Sequence, residues 1–148
     1  MTPQTPEVIC YGEALADCFP EQTVIGGAPL NVARHLAQLG CTAHIMTALA
    51  DDDLGREIRA ACRLAGVLTD LVFTTSKAPT GRVRIDSNMD MGHTFHIESN
   101  SAWDYIEPTS KTKSVLRRSA CLVYGTLAMR SAVSRHTFLE LIDGFSGL

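Results

Sequence analysis

The sequence predicts an α/β fold with a largely parallel sheet. Short apolar runs of strand length alternate with two capped amphipathic helices, and a glycine follows each helix. A β-hairpin pattern is added later in the chain. With 148 residues and 45% hydrophobic composition, the chain suits one domain with a buried core.

The first predicted elements are a strand and a helix. The apolar run in "EVICYGEAL", residues 7 to 15, is rich in β-forming residues and predicts a buried strand that Gly12 closes. Residues 28 to 39 predict a helix that stops at Gly40, because glycine suits the position after a helix end. The apolar positions of this helix fall on one stripe: Leu30, Ala33, Leu36 and Ala37.

The next predicted elements repeat this order. The segment "CTAHIMTALA" predicts a second strand. The segment "ADDDLGREIRAACRLAG" predicts a helix with Asp52 or Asp53 as its N-cap and Gly66 at its end. Its buried face is expected to hold Leu54, Ile58, Ala61 and Ala65. A third short strand is predicted in "DLVFTT".

The pattern changes between residues 79 and 97. The segment "PTGRVRIDSNMDMGHTFHI" alternates twice around a turn-rich centre, so it predicts a hairpin. One face of this hairpin is expected to hold Val83, Ile85, Phe95 and Ile97. A hairpin inserted into an α/β chain can lie outside the main sheet and cover a site. Further along, "ACLVYGTLAM" predicts a buried strand and "SRHTFLELIDG" predicts a helix.

Charge and composition argue against several classes of partner. The 13 Lys and Arg residues against 16 Asp and Glu give a net charge of −3, so we expect no nucleic-acid partner. The basic cluster is interpreted as a solvated surface: Lys111, Lys113, Arg117 and Arg118. The N-terminal segment lacks the features of a signal peptide, and no apolar run approaches the roughly 20 residues that span a bilayer. We therefore expect a cytoplasmic protein without a membrane partner.

Residue spacing also argues against disulfides and metal centres. The five cysteines are odd in number and widely spaced, which favours reduced thiols. His93 and His96 would lie on opposite faces of a strand, so we expect no metal site. The sequence has no P-loop or Rossmann glycine motif. Trp103 is expected to pack beneath the hairpin rather than to form an exposed stacking surface.

The candidate site lies in "VIGGAPLNVARHLAQLG", residues 24 to 40. Gly26 and Gly27 precede a helix whose first turn offers unpaired N–H groups to an oxygen-rich ligand. Asn31 adds an amide, and Asp17, expected just beyond the end of the first strand, adds a carboxylate. This combination suits a polyhydroxylated ligand. The alternative is an ordinary turn in which Asn31 only caps the helix.

The order of these motifs resembles the ribokinase-like sugar kinases, also called the PfkB carbohydrate kinase family. The segments "VICYGEALADCFPE", "GGAPLNVARHLAQLG", "TALADDDLGREI", "APTGRVRID" and "FHIESNSAWDYI" are similar to fructokinase-type members. The resemblance implies the N-terminal half of a three-layer α/β/α fold with a small β lid at about residues 80–97. It implies ATP-dependent phosphorylation of a sugar hydroxyl, with ATP and Mg²⁺ bound by the complete kinase. The residues that it implies for sugar binding are Asp17, Gly26, Gly27 and Asn31.

The sequence departs from the family in the motifs that the family carries later in its chain. There, an Asp-Thr-x-Gly-Ala-Gly-Asp type motif supplies an anion hole and the catalytic base, and residues 1–148 do not match it. We therefore expect no catalytic, nucleotide-binding or metal-binding residue in this chain, and no activity of the isolated chain. We also expect self-association through the lid or through the strand edge near residues 120–126.

Two alternatives stay open. The chain could be a truncated, non-catalytic module that binds sugar or another protein. It could also belong to a kinase for another acceptor class, such as ketodeoxygluconate or nucleosides, because such kinases share the same signatures. Smaller departures from the family pattern are Leu30, where a small residue is more common, and Ala50, where glycine is usual.

Overall fold

The computed structural model describes residues 5–88 and 92–147, which contain nine strands, four α-helices and two short 3₁₀ helices. The strands are β1 (Glu7–Tyr11), β2 (Leu15–Cys18), β3 (Thr23–Gly26), β4 (Thr42–Met46), β5 (Ala48–Ala50), β6 (Phe73–Thr75), β7 (Arg82–Asn88), β8 (Gly92–Ile97) and β9 (Cys121–Tyr124). The α-helices are α1 (Ala28–Gln38), α2 (Asp53–Leu64), α3 (Thr112–Arg118) and α4 (Ala132–Asp143). The 3₁₀ helices are Ala102–Tyr105 and Leu127–Arg130.

The central sheet is parallel, with the strand order β4-β1-β9. Because alternate residues of a strand point to opposite faces, β1 contributes to two cores. Val8 and Cys10 belong to a core that includes residues of α1 and α2. Ile9 and Tyr11 belong to a core that includes residues of α3 and α4. Helices therefore cover both faces of a parallel sheet, which confirms the predicted three-layer α/β fold.

A second sheet has the order β3-β2-β7-β8. The predicted hairpin forms its β7 and β8 strands, and the expected face is confirmed because Val83 pairs with Ile97 and Ile85 pairs with Phe95. The sheet is larger than the sequence indicated, since β2 pairs in parallel with β7 and antiparallel with β3. Of the predicted turn-rich centre at residues 86 to 92, residues 86 to 88 belong to β7, Gly92 begins β8, and residues 89 to 91 lie outside the described residues.

The strand predicted to close at Gly12 is confirmed as β1, but the sequence analysis did not predict the strand β2 that follows it. Gly12 separates β1 from β2 with a φ of 140°, a conformation that glycine adopts readily. Its N–H donates to the carbonyl oxygen of Met46 at 3.1 Å, and the chain then leaves the central sheet for the second sheet. Strand β2 is only four residues long, so the sequence pattern did not reveal it.

The capping residue of α2 connects this helix to the second sheet. Of the two predicted N-caps, Asp52 is the one observed, because one of its oxygens accepts from the N–H of Gly55 at 2.7 Å. Its other oxygen accepts from the N–H of Thr80 at 2.9 Å, two residues before β7.

Within the described ranges, no helix combines the length and the apolar character that crossing a bilayer requires.

The short helix α3 was not predicted from the sequence. Only Thr112 and Val115 of this helix are buried, so its apolar periodicity is weak. The basic cluster at residues 111–118 is exposed, as expected. Arg118 donates to the carboxylate of Glu7, which also pairs with the buried ring of His44 at 2.8 Å, so α3 is tied to the start of the central sheet.

Candidate functional site

The glycine pair forms the link between β3 and α1. Gly26 ends β3, and Gly27 has a φ of 109° and precedes the first residue of α1. The carbonyl oxygen of Gly27 accepts the hydrogen bond from the N–H of Asn31 at 2.9 Å, which closes the first helical turn. A Cβ atom on Gly27 would lie 2.4 Å from the carbonyl oxygen of Glu13. Gly27 is therefore required by the close approach of two backbone segments, a reason that the sequence did not indicate.

Asp17 lies in a different place from the one predicted. It belongs to β2 in the second sheet, where it pairs with Val24 and Val83, and it does not follow the end of the first strand. Its Oδ2 atom lies 2.5 Å from the position that a Cβ atom on Gly26 would occupy. The carboxylate therefore covers the Cα of Gly26, and the structure brings these two predicted residues together.

The Asp17 carboxylate is half-buried and accepts no hydrogen bond from the described residues. Burial raises its pKa. The surrounding sheet face explains this, because Val83 beside it is buried and Val24 is an apolar neighbour. A carboxylate whose acceptor sites are all free, in a partly apolar setting, is available to a ligand with hydroxyl donors.

Asn31 lies in the first turn of α1, where its side chain is exposed. Within the described ranges, its amide group makes no hydrogen bond, so it does not act as a helix cap there. The N-cap is Gly27, which has no side chain to cap with. The structure thus places Asn31 one turn after the glycine pair with its amide open to solvent.

Glu13 also approaches this turn, and sequence analysis did not single it out. Its side chain is only 4% exposed, and its Oε1 atom accepts from the N–H of Ala28 at 3.3 Å. Burial raises its pKa, although hydrogen bonds from its own N–H and that of Ala28 act in the opposite direction. The available signal was its position two residues after β1, because open α/β sheets bind ligands at the carboxyl ends of their strands.

The base of the β7–β8 hairpin is fixed to the core by the buried ring of Trp103 and by the ion pair of Arg130 with Asp104. Arg130 stacks over the ring of Trp103 with 3.8 Å to the ring centroid, and its guanidinium donates to both oxygens of Asp104 at 2.8 Å. The same guanidinium donates to the carbonyl oxygen of Glu98, next to the end of β8. Trp103 is fully buried against Gly81, so its predicted packing role is confirmed.

The sequence that folds into these two sheets matches a known family. The family model described as pfkB family carbohydrate kinase matches residues 4–142. The chain belongs to the pfkB family of carbohydrate kinases. This membership confirms the resemblance that the sequence motifs indicated.

Known pfkB proteins and related kinases show the extent of the match. Fructokinase-1 of Oryza sativa subsp. japonica is 26% identical over 149 residues, which cover 92% of this chain and 46% of that protein. The 5-dehydro-2-deoxygluconokinase of Geobacillus kaustophilus (strain HTA426) is 28% identical over 131 residues, which cover 80% of this chain and 36% of that protein. This chain therefore spans less than half the length of either relative.

A solved structure supports the pfkB fold. The crystal structure of fructokinase with bound ATP from Xylella fastidiosa matches with a TM-score of 0.82 at 24% identity. The match covers 93% of this chain and 44% of the other chain. At this identity the likeness concerns the fold.

The glycine pair of this pfkB chain has acidic neighbours. The carboxyl groups at the glycine pair are Asp17 and Glu13, and no cation lowers the pKa of either. Two acids beside the turn would repel a triphosphate. Among the residues that the structure describes, no group of three or more His, Cys, Asp or Glu side chains could hold a metal ion. This turn therefore suits a neutral, hydroxyl-rich ligand better than a nucleotide.

Proposed function

We propose that this chain forms the sugar-binding part of a carbohydrate kinase that phosphorylates a sugar hydroxyl. The observation that carries the proposal is the free carboxylate of Asp17 over Gly26, beside the start of α1. A carboxylate accepts hydrogen bonds from sugar hydroxyls, while the amide of Asn31 can both accept and donate. These groups can therefore hold and orient several hydroxyls of one ligand.

We propose a neutral ketose of the fructose type as the acceptor. Asp17 and Glu13 are acids, and an acceptor with its own carboxylate would be repelled unless a cation paired with it. The cation nearest along the chain, Arg34, already donates to the carbonyl oxygen of Ile25 at 2.9 Å. This argument favours fructose-type acceptors over sugar acids, although the Geobacillus kaustophilus relative is named as a kinase of a sugar acid. Nucleosides, which are also neutral, stay the second candidate.

The role of this chain in phosphoryl transfer would be to position the acceptor. Phosphoryl transfer depends largely on positioning and on electrostatic stabilisation. Asp17 and Asn31 would orient the sugar, and the second sheet would act as a lid that excludes water. ATP with Mg²⁺ would supply the phosphoryl group in the complete kinase, and no residue of this chain is assigned to hold them.

The five unpaired cysteines favour a reducing compartment, so we place the protein in the cytoplasm.

Replacing Asp17 with asparagine is expected to weaken fructose binding by about tenfold, since a hydrogen bond to a charged group contributes roughly 1.5–3 kcal/mol and asparagine keeps one acceptor. Because burial raises the pKa of Asp17, the wild-type affinity is expected to fall as the pH decreases through that raised pKa. The fructose affinity of the asparagine variant should lack this pH dependence, because asparagine does not titrate. An NMR titration of the 148-residue chain with fructose measures both effects.

The matched control is Asp86→Asn. Asp86 lies on β7 of the same sheet, its side chain is 60% exposed, and it alternates with Val83 and Ile85, so it occupies the other face. The Asp86→Asn variant should bind fructose like the wild type. Equal fructose affinity in Asp17→Asn and wild type would contradict the assignment of the site.

The isolated chain is expected to self-associate and to transfer no phosphoryl group from ATP to fructose. Residues 1–148 lack a match to the motif that supplies the anion hole and the base. Strand β9 pairs only with β1 among the described strands, and Tyr124 is 52% exposed, so an edge is open to a second copy. Light scattering measures the size and a coupled ADP assay measures the turnover. A monomer that consumes ATP with fructose would contradict this expectation.

A further inference from the structure

Glu13 contacts the start of α1 in two ways. Its backbone carbonyl lies against the Cα of Gly27, where a Cβ atom would lie 2.4 Å away. Its side-chain Oε1 atom accepts from the N–H of Ala28, the first residue of α1. One residue therefore fixes both the N-cap and the first helical residue. These two positions begin the helical turn that ends at Asn31.

The second oxygen of the Glu13 carboxyl group is buried without a partner. The Oε2 atom makes no hydrogen bond among the described residues. Its surroundings are Gly125, on which a Cβ atom would lie 2.9 Å from Oε2, and the ring of Pro29, which packs against Gly125 and Gly12. A leucine could occupy the same buried space as the Glu13 side chain without burying a polar atom. Packing alone therefore does not explain a carboxyl group at this position.

We propose that Glu13 is a positioning residue for the sugar site. In this proposal, which rests on the proposed function, its carboxyl group holds the first turn of α1 through Ala28. That contact keeps the N–H groups of the turn and the amide of Asn31 in the arrangement that receives the sugar hydroxyls. Glu13 does not contact the sugar itself, because its side chain is 4% exposed and closed off by Gly125 and Pro29. Its effect reaches the ligand through α1.

The test compares Glu13→Leu with Glu13→Gln in the 148-residue chain. Leucine removes the acceptor for the N–H of Ala28 but still occupies the buried space of the glutamate side chain. Glutamine keeps an acceptor at the same place. We expect a melting temperature close to that of the wild type in both variants, because leucine removes an unpartnered buried oxygen. We expect fructose affinity to fall about tenfold in Glu13→Leu and to stay within about threefold of the wild type in Glu13→Gln. Glu57→Leu, an exposed position on α2, is the control and should bind normally.

A second measurement needs no sugar. The backbone N–H of Asn31 donates to the carbonyl oxygen of Gly27. Its hydrogen exchange with solvent should be several-fold faster in Glu13→Leu than in the wild type and in Glu13→Gln. If the wild-type chain binds fructose and Glu13→Leu binds it equally well, the inference is overturned while the proposed function stands. If Glu13→Leu loses affinity with unchanged Asn31 exchange, positioning through α1 is also overturned. If the wild-type chain binds no sugar, the proposed function fails, and this inference fails with it.

Discussion

Replacing Gly27 with valine is expected to unfold the chain under conditions in which the wild type is folded. Gly27 has a φ of 109°, which a β-branched residue adopts only with strain, and the new Cβ would lie 2.4 Å from the carbonyl oxygen of Glu13. Backbone strain and overlap in a packed region together cost roughly 3–6 kcal/mol. Because domains are stable by only about 5–15 kcal/mol, this is a large part of the total. Thermal unfolding followed by circular dichroism measures the loss.

The matched control is Gly40→Val. Gly40 also has a positive φ, at 89°, but a Cβ atom there would meet no atom of the described part of the chain within 4 Å. This variant therefore carries the backbone strain without the collision. The difference between the two melting temperatures isolates the contact with Glu13. Equal melting temperatures would show that the Glu13 backbone moves aside, and would contradict the role of Gly27 as a close-approach glycine.

Local sequence patterns predicted the elements whose physical causes are local. Asp52 caps α2 because its side chain reaches the N–H of Gly55 only three residues later. The hairpin face of Val83 and Ile85 follows from strict alternation on both sides of one turn, so it could be predicted from the period of the apolar residues. Such features need no knowledge of distant parts of the chain.

The parts of the site that the sequence did not predict depend on distant pairing. Asp17 joins the second sheet because β2 pairs with β7, whose residue Val83 is 66 positions away in the chain. No local pattern carries that pairing, so the sequence did not indicate the short strand β2. The role of Glu13 was hidden for the same reason, since its partners Ala28 and Gly125 belong to other segments.

Of the two glycines that the sequence analysis assigned to sugar binding, Gly26 is expected to matter more for binding than for folding. Its φ does not lie in the region that favours glycine. Among the described residues, the only side chain within 4 Å of a new Cβ is that of Asp17, whose Oδ2 atom lies at 2.5 Å. A flexible carboxylate can move aside at little cost to folding. Gly26→Ala should therefore keep a melting temperature near that of the wild type.

Fructose affinity in Gly26→Ala is expected to fall by roughly a hundredfold. The displaced Asp17 would lose its hydrogen bonds to the sugar, each worth about 1.5–3 kcal/mol, and the methyl group would occupy space beside the bound hydroxyls. The effect should exceed that of Asp17→Asn, which keeps an acceptor in place. Fructose titrations of both variants, together with thermal melts, separate a loss of binding from a loss of folding.

The double variant Gly26→Ala with Asp17→Asn decides whether the alanine acts through Asp17. Residues that act through one contact give non-additive effects on the free energy of binding. If the methyl group acts by displacing the carboxylate, adding Asp17→Asn should weaken binding little beyond Gly26→Ala alone. Additive losses would show that Gly26 and Asp17 contribute independently. In that case the carboxylate lying over Gly26 would not be the arrangement that receives the sugar, and the site would need another acceptor for its hydroxyls.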